Sequence, residues 1–113
     1  MKDATDYADM SDEVLLAKIV EKDRLALGAL YDRYGRRVFA LSARMLNAPQ
    51  SSEEVIQDVF MSVWRRVTSY KPGRGKFTTW LFTIARNLGL NEIRRRTRHP
   101  ADSLDEPRPD NES

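Results

Sequence analysis

The residues best suited to binding chemistry lie between Tyr70 and Arg98, where a basic loop leads into a predicted helix. Proline and glycine interrupt regular structure in this loop and leave backbone amides free to meet an anion. The loop residues are Lys71, Pro72, Gly73, Arg74, Gly75 and Lys76. Cationic side chains beside free amides favour a nucleic acid as the ligand.

The helix that follows begins at about Thr78 and has two chemically different faces. An apolar set recurs at steps of three and four residues and should face a core; its members are Phe77, Trp80, Leu81, Ile84, Ala85 and Leu88. A polar stripe consists of Thr79, Thr83, Asn87, Asn91 and Arg95, with Arg86, Arg94 and Arg98 beside it. Such a stripe can bond phosphates and base edges together, although the same pattern also fits a solvated face whose arginines favour the helix dipole.

Residues that could support catalysis or hold a metal are few. The only histidine, His99, follows the arginine run, where a helix-terminal or phosphate-side role is favoured over that of a general base. Glu53 and Glu54 stand at a predicted helix N-terminus, and capping and dipole effects account for them. The chain has no cysteine and no GxxxxGK[ST] phosphate-binding loop. The sequence therefore predicts no enzyme, no metal site and no cofactor.

Charge is distributed unevenly along the 113 residues. The net charge is +2, yet residues 1–13 and residues 101–113 each sum to −4, which leaves +10 for residues 14–100. A basic middle section suits a polyanion, and the acidic ends discourage indiscriminate binding. The acidic start does not resemble a signal peptide and no apolar run has membrane-spanning length, so we expect a cytoplasmic protein.

Four helices must position the basic loop and the polar stripe. The first has Ser11 as its N-cap and ends near Lys22, the second spans residues 24–46, the third opens with a capping box at Ser51 and runs to about Thr68, and the fourth follows the loop. No strand-like alternation occurs. The sequence predicts an all-α bundle of about four helices over residues 11–99, with a flexible acidic segment at residues 1–10 and the start of a flexible linker at residues 100–113.

The third predicted helix carries a wide apolar face. Two stripes form it, Val55, Val59, Val63 and Val67 beside Ile56, Phe60 and Trp64, and together they predict burial against more than one neighbour. The opposite face consists of Glu54, Gln57, Asp58, Met61, Ser62 and Arg65. On spacing alone this second face is exposed to solvent.

Two motifs in this chain resemble region 2 of bacterial sigma factors of the extracytoplasmic-function (ECF) group. The first motif is EVIQDVF at residues 54–60, followed by Val63 and Trp64. The second comprises Phe77, WLFTIARN at residues 80–87 and the arginines at residues 94–96. Both occur in the order and at about the spacing of the family, and the similarity extends from about Glu13 to Arg98.

This resemblance implies two partners. In the family, the third helix binds the clamp of the largest subunit of core RNA polymerase, which assigns that role to Glu54, Gln57, Asp58 and Met61. The loop and fourth helix of the family capture the minus-ten element of promoter DNA on the non-template strand. The resemblance therefore implies a transcription initiation factor domain that is usually held inactive by an anti-sigma factor.

The resemblance also suggests roles for individual DNA-contacting residues. Around a pocket for an extruded base it places Tyr70, Lys71, Arg74 and Lys76, with Asn87 at the edge of the base. On the phosphates it places Arg86, Asn91, Arg94 and Arg95, and Thr83 shares their face. Tyr70 is the preferred stacking residue, because the spacing of Trp80 with Ile84 and Leu88 favours core packing for Trp80. Family members also carry a region 4 domain that reads the minus-thirty-five element, and we expect residues 100–113 to begin the linker towards it.

Two other functions fit parts of the pattern. A duplex-binding helical module would use Trp80 and the following asparagines and arginines in a major groove. A helical protein-interaction module would use its arginines only for solubility and would show no salt-dependent DNA binding. Preference for single-stranded over duplex DNA separates both from the sigma-like function.

Overall fold

The computed structural model describes residues 4–98, which form helices and connecting loops without a strand in that range. The helices are α1 (Ala4–Tyr7), α2 (Asp12–Val20), α3 (Arg24–Leu46), α4 (Pro49–Arg66) and α5 (Phe77–Arg98). Two single 3₁₀ turns, Val67–Ser69 and Pro72–Arg74, connect α4 to α5. The predicted all-α class is confirmed. His99 and the predicted linker at residues 100–113 lie outside the described residues.

Local capping explains where α2 and α3 begin and end. Ser11 caps α2, as predicted, because its hydroxyl accepts a hydrogen bond from the Val14 amide at 3.2 Å. Asp23 caps α3 by accepting hydrogen bonds from the amides of Leu25 and Ala26. At the other end of α3, Asn47 adopts a left-handed conformation with φ 53°, which turns the chain towards α4.

The start of α4 differs from the predicted capping box. The helix begins three residues earlier, with Ala48 as the N-cap in place of Ser51 and Pro49 in the first turn, and no side chain caps it. Proline suits this position because its fixed φ is helical and the first amides of a helix need no intrahelical partner. Ser51 therefore lies inside the helix, where its hydroxyl accepts a hydrogen bond from Arg96.

The part of the N-terminal segment that the structure describes contacts α3, and Tyr7 packs into the core. Tyr7 is only 2% exposed, and its hydroxyl donates a hydrogen bond of 2.6 Å to Asp23. That bond raises the pKa of Tyr7 to about 12 and lowers the pKa of Asp23. A single buried tyrosine has no periodicity, so the sequence pattern gave no sign of this packing.

The core forms around α3, which contacts α1, α2, α4 and α5. Its fully buried side chains come from every long helix and include Leu15, Ile19, Leu30, Val38, Val59, Val63 and Leu81. The apolar stripes predicted for the third helix are buried, apart from the half-buried Trp64, and Ser62 of the predicted polar face is buried as well. Within the described residues, no helix combines the length and apolarity that crossing a membrane requires.

Candidate nucleic-acid interface

The basic loop between α4 and α5 is held in a defined shape by hydrogen bonds. The 3₁₀ turn is closed by the Arg74 amide, which donates to the Lys71 carbonyl at 2.9 Å. Gly75 then adopts φ 146° and ψ −179°, a conformation open essentially to glycine alone. The Tyr70 hydroxyl donates to the Gly75 carbonyl at 3.0 Å and ties the two ends of the loop together.

Three aromatic rings support this loop. The Tyr70 ring centroid lies 6.0 Å from that of Phe77 and 5.6 Å from that of Trp80. Phe77 is buried and packs against Tyr34 of α3 at 5.8 Å. Tyr70 and Trp80 are only partly buried. The loop is therefore anchored to the core through Phe77, while two rings keep surface that a ligand can contact.

A cavity of about 280 Å³ opens where the loop meets α5. It is lined by Ser69, Tyr70, Lys71, Arg74, Gly75, Lys76, Thr79 and Trp80. The structure thus brings together the four loop residues predicted to surround a pocket. Its three cationic side chains are exposed, and none forms an ion pair within residues 4–98. Aromatic surface beside unpaired cations is the combination that binds a nucleotide with its base unstacked.

Asn87 does not line this cavity. It is exposed on α5, seven residues beyond Trp80, which places it on the same side of the helix and about 10.5 Å further along the axis. Because α5 is one uninterrupted helix, this separation is fixed. Asn87 is therefore too far from this cavity to contact a base that the cavity holds.

The other residues of α5 that were predicted to contact DNA differ in whether their polar groups are free to bind a ligand. Thr83 is exposed, and its hydroxyl donates to the Thr79 carbonyl at 2.8 Å, which leaves the oxygen free to accept. Arg86 is exposed and forms no ion pair within residues 4–98. Arg94 donates to the Asn91 side-chain oxygen, so these two residues form one exposed polar unit.

Arg95 is the predicted phosphate contact that the structure does not support. Its guanidinium donates two hydrogen bonds to Glu92, at 3.1 and 2.5 Å, and the carboxylate of Glu92 is largely buried. The hydrogen bond to Glu92 raises the pKa of Arg95. Arg96 lies 3.4 Å from the same carboxylate and donates to the Leu46 carbonyl at 3.1 Å. Arg96 therefore fastens α5 to the corner between α3 and α4, whereas Arg95 is bound within α5 itself.

Sequence reasoning missed three cavity residues. Trp80 was assigned to the core, and in the structure it contributes both to the core and to the cavity wall. Thr79 and Ser69 also line the cavity. Thr79 could have been predicted as a binding residue, because it begins the polar stripe one turn before Thr83. Ser69 could not, since its position depends on how the 3₁₀ turn after α4 folds.

A second surface lies on α4. Glu54, Gln57, Asp58 and Met61 are all exposed, and their spacing places them on one side of the helix. Met61 is 44% exposed, and several other large apolar side chains of the protein are exposed to a similar extent. The surface therefore consists of two carboxylates and an amide around one apolar side chain.

Comparison with known proteins gives one family and several relatives. The model of the family described as Sigma-70 region 2 matches residues 30–99. The chain is 38% identical over 102 residues to the ECF RNA polymerase sigma factor SigK of Mycobacterium sp. (strain KMS), a match that covers 84% of this chain and 53% of that protein. It is 31% identical over 93 residues to the ECF RNA polymerase sigma factor RpoE of Cereibacter sphaeroides, covering 80% and 51%.

A solved structure is also similar. It is the NMR structure of an engineered region 2 of sigmaE in complex with GTAAAA, with a TM-score of 0.71 and 29% sequence identity. The match covers 81% of this chain and 95% of that chain. The chain spans about half the length of the curated relatives that it matches.

Proposed function

The chain belongs to the Sigma-70 region 2 family, in its ECF group, and from this membership we propose that it is a transcription initiation factor domain. It binds core RNA polymerase and recognises the promoter minus-ten element by capturing the non-template strand as single-stranded DNA. The observation that carries the proposal is the 280 Å³ cavity with three unpaired cations and two half-buried aromatic rings.

The cavity can hold one base that has left the stack. Tyr70 and Trp80 offer ring surface, and Lys71, Arg74 and Lys76 attract the flanking phosphates. Extrusion of a base costs least when the strand is already unpaired, so the site selects melted DNA over duplex. The similar engineered region 2 of sigmaE was solved in complex with GTAAAA, which supports a short oligonucleotide as the ligand here.

The exposed side of α5 extends the contact beyond the cavity. Asn87 both donates and accepts hydrogen bonds, so it can read the edge of a second base about two helical turns away from the cavity. Arg86 and the unit of Arg94 and Asn91 are available for phosphates, as is the hydroxyl oxygen of Thr83. Arg95 is left out of this set because Glu92 neutralises it.

The α4 surface of Glu54, Gln57, Asp58 and Met61 is the proposed polymerase contact, with the clamp of the largest subunit as partner. An acidic surface on a basic domain orients docking on a basic partner. We place the protein in the cytoplasm, where the polymerase acts, and expect an anti-sigma factor to cover one or both surfaces. The proposed role is binding and not catalysis.

The test is binding of the chain to fluorescent non-template oligonucleotides of randomised minus-ten-like sequence, compared with the same DNA as duplex, across a salt series. We expect single-strand binding with a base preference at defined positions. Asn87→Ala should relax the preference at one position by about 1–3 kcal/mol, and Lys71→Ala with Arg74→Ala should weaken binding of every sequence.

The alternative functions predict other outcomes. Stronger binding to duplex than to single strands would favour a duplex-binding module, and absence of salt-dependent binding would favour a protein-interaction module. If Asn87→Ala lowers the affinity for all sequences equally, Asn87 does not recognise a base.

A further inference from the structure

Helix α3 lies beside α5, and the two helices run in the same direction. Tyr34 contacts Phe77 near the start of α5, the Arg37 guanidinium lies 5.2 Å from the Phe82 ring, and the Leu46 carbonyl accepts from Arg96 near the end. The contacts thus advance along both helices together, with a shallow groove between the two backbones. This groove starts near the loop cavity, because Thr79 lines the cavity and Phe82 follows it within one turn of α5.

One flank of α3 carries three arginines with different surroundings. Arg33, Arg37 and Arg44 lie on the same side of the helix, since steps of four and seven residues return to nearly the same direction. Arg33 is covered by the N-terminal segment, because it donates to Asp12 at 2.8 Å and to the Ala8 carbonyl at 3.1 Å. Beyond that cover, Arg37 and Arg44 are exposed.

Arg37 is held in place without losing its hydrogen-bonding capacity. Its guanidinium lies 5.5 Å from the Tyr34 ring and 5.2 Å from the Phe82 ring. Contact with aromatic rings leaves the N–H groups in the guanidinium plane free for an anion, and a phosphate can be bound by two of them. A side chain fixed in this way loses less entropy when it binds.

Neither helix carries an acidic residue on this part of the surface. Residues 33–46 of α3 and residues 77–91 of α5 contain no Asp or Glu. Ion pairs with Asp12 and Glu92 occupy Arg33, Arg95 and Arg96. Arg37, Arg44 and Arg86 have no ion pair within the described residues 4–98, and Arg86 extends this basic surface on α5, one turn after Phe82.

We propose that Arg37 and Arg44 form a second phosphate-binding wall, so that single-stranded DNA leaving the loop cavity lies in the groove between α3 and α5. Arg86 contacts the strand from the α5 side of this groove. The two α3 arginines are about 10.5 Å apart along the helix, so they bind phosphates of different nucleotides. The proposal rests on the proposed function, because it extends the same binding site to α3.

The test compares Arg37→Gln and Arg44→Gln, singly and together, with Arg36→Gln as the matched control. Arg36 is an exposed arginine of the same helix that lines a different groove, beside Asp32 and Glu53. The probes are two fluorescent single-stranded oligonucleotides, one of about four nucleotides and one of about twelve. Binding is measured in a salt series, and chemical denaturation checks that each variant is folded.

For the longer probe we expect each α3 substitution to lower the slope of log K against log salt by about 0.7, which is the value for one phosphate contact on a single strand. The cavity holds one base and the shorter probe adds only a few nucleotides to it, so its binding should change less than that of the longer probe. Arg37→Lys should keep the slope of the unaltered chain because it keeps the charge. Arg36→Gln should keep both the slope and the affinity.

The possible failures are distinguishable. The double variant Lys71→Ala, Arg74→Ala tests the loop site alone. If it binds the oligonucleotides more weakly while the α3 variants bind them as Arg36→Gln does, the proposed wall on α3 is wrong and the loop site is supported. If Arg36→Gln and Arg44→Gln lower the affinity and the salt slope equally, the effect comes from overall charge, and the proposed phosphate-binding wall on α3 is wrong. If the unaltered chain binds neither probe, the proposed function and this extension both fail.

Discussion

Whether an arginine of this protein can bind DNA depends on what it already contacts. Arg94 and Arg95 are neighbours in sequence, yet Arg94 is exposed beside Asn91 whereas Arg95 is bound by Glu92. The stripe of residues at four-residue steps predicts Arg95 on the DNA-facing side. Each step of four residues turns about 40° past a full turn, so by Arg95 the stripe has rotated from the side of the exposed Thr79 to the side of the buried Phe77, where Glu92 binds the guanidinium. The i,i+3 relation of Glu92 and Arg95 was readable in the sequence, and the burial of Glu92 was not.

Replacement of Glu92 by glutamine should therefore affect stability and DNA binding in opposite directions. Loss of the charge-assisted hydrogen bonds should lower the free energy of unfolding by about 1–3 kcal/mol. Release of Arg95 should strengthen DNA binding and steepen its salt slope by up to about 0.7, whereas Arg96 stays bound to the Leu46 carbonyl and the Ser51 hydroxyl. Urea denaturation and the oligonucleotide titration measure the two effects.

Glu53→Gln is the matched control for Glu92→Gln, because it removes the same charge from an exposed position on α4. It should leave stability and the salt slope unchanged. Adding Arg95→Gln to Glu92→Gln should return the slope towards its original value. If Glu92→Gln leaves the slope of log K against log salt unchanged, Arg95 does not reach the DNA after its release.

At the scale of elements, the sequence predicted the helices well and the loop only in outline. Apolar spacing and caps gave the bounds of α3 and the start of α2, because these signals are local. The early start of α4 at Pro49 and the packing of Tyr7 were missed, since both depend on the neighbours that surround them. The loop was correctly predicted to break regular structure. The resemblance implied a pocket in this loop, but its shape could not be predicted, because it depends on Tyr70 reaching Gly75 across five residues and on where Ser69 and Trp80 lie.

The loop offers a matched pair of glycines for testing its shape. Gly75 has φ 146°, so Gly75→Ala should strain the backbone by about 1–3 kcal/mol or force the loop to rearrange. Gly73 lies in the 3₁₀ turn without a positive φ, and an added methyl group there meets no atom within 4 Å. We expect Gly75→Ala to lose base preference in the oligonucleotide assay and Gly73→Ala to keep it. Equal binding by both variants would show that the loop shape does not determine recognition.

At the scale of the whole molecule, the charges separate two surfaces. The basic loop and the outer side of α5 form one surface, and the exposed acidic and polar residues of α4 form the other. A net charge of +2 hides this division, because the acidic ends offset the basic middle of the chain. The sequence indicated both surfaces through helical spacing. Their separate use by two partners is the part that requires binding measurements.

Gln57→Ala combined with Asp58→Ala tests whether the two surfaces act independently. Both residues are exposed on α4, so the double variant should keep its stability within about 0.5 kcal/mol. We expect weaker binding to core RNA polymerase, because the orienting acidic group is lost, and unchanged binding of single-stranded oligonucleotides. Lys71→Ala with Arg74→Ala should show the reverse pattern. A pull-down with core polymerase and a fluorescence titration measure the two activities on the same preparations. Loss of DNA binding in the α4 variant would mean that α4 belongs to the DNA surface, and the assignment of the two surfaces would then be wrong.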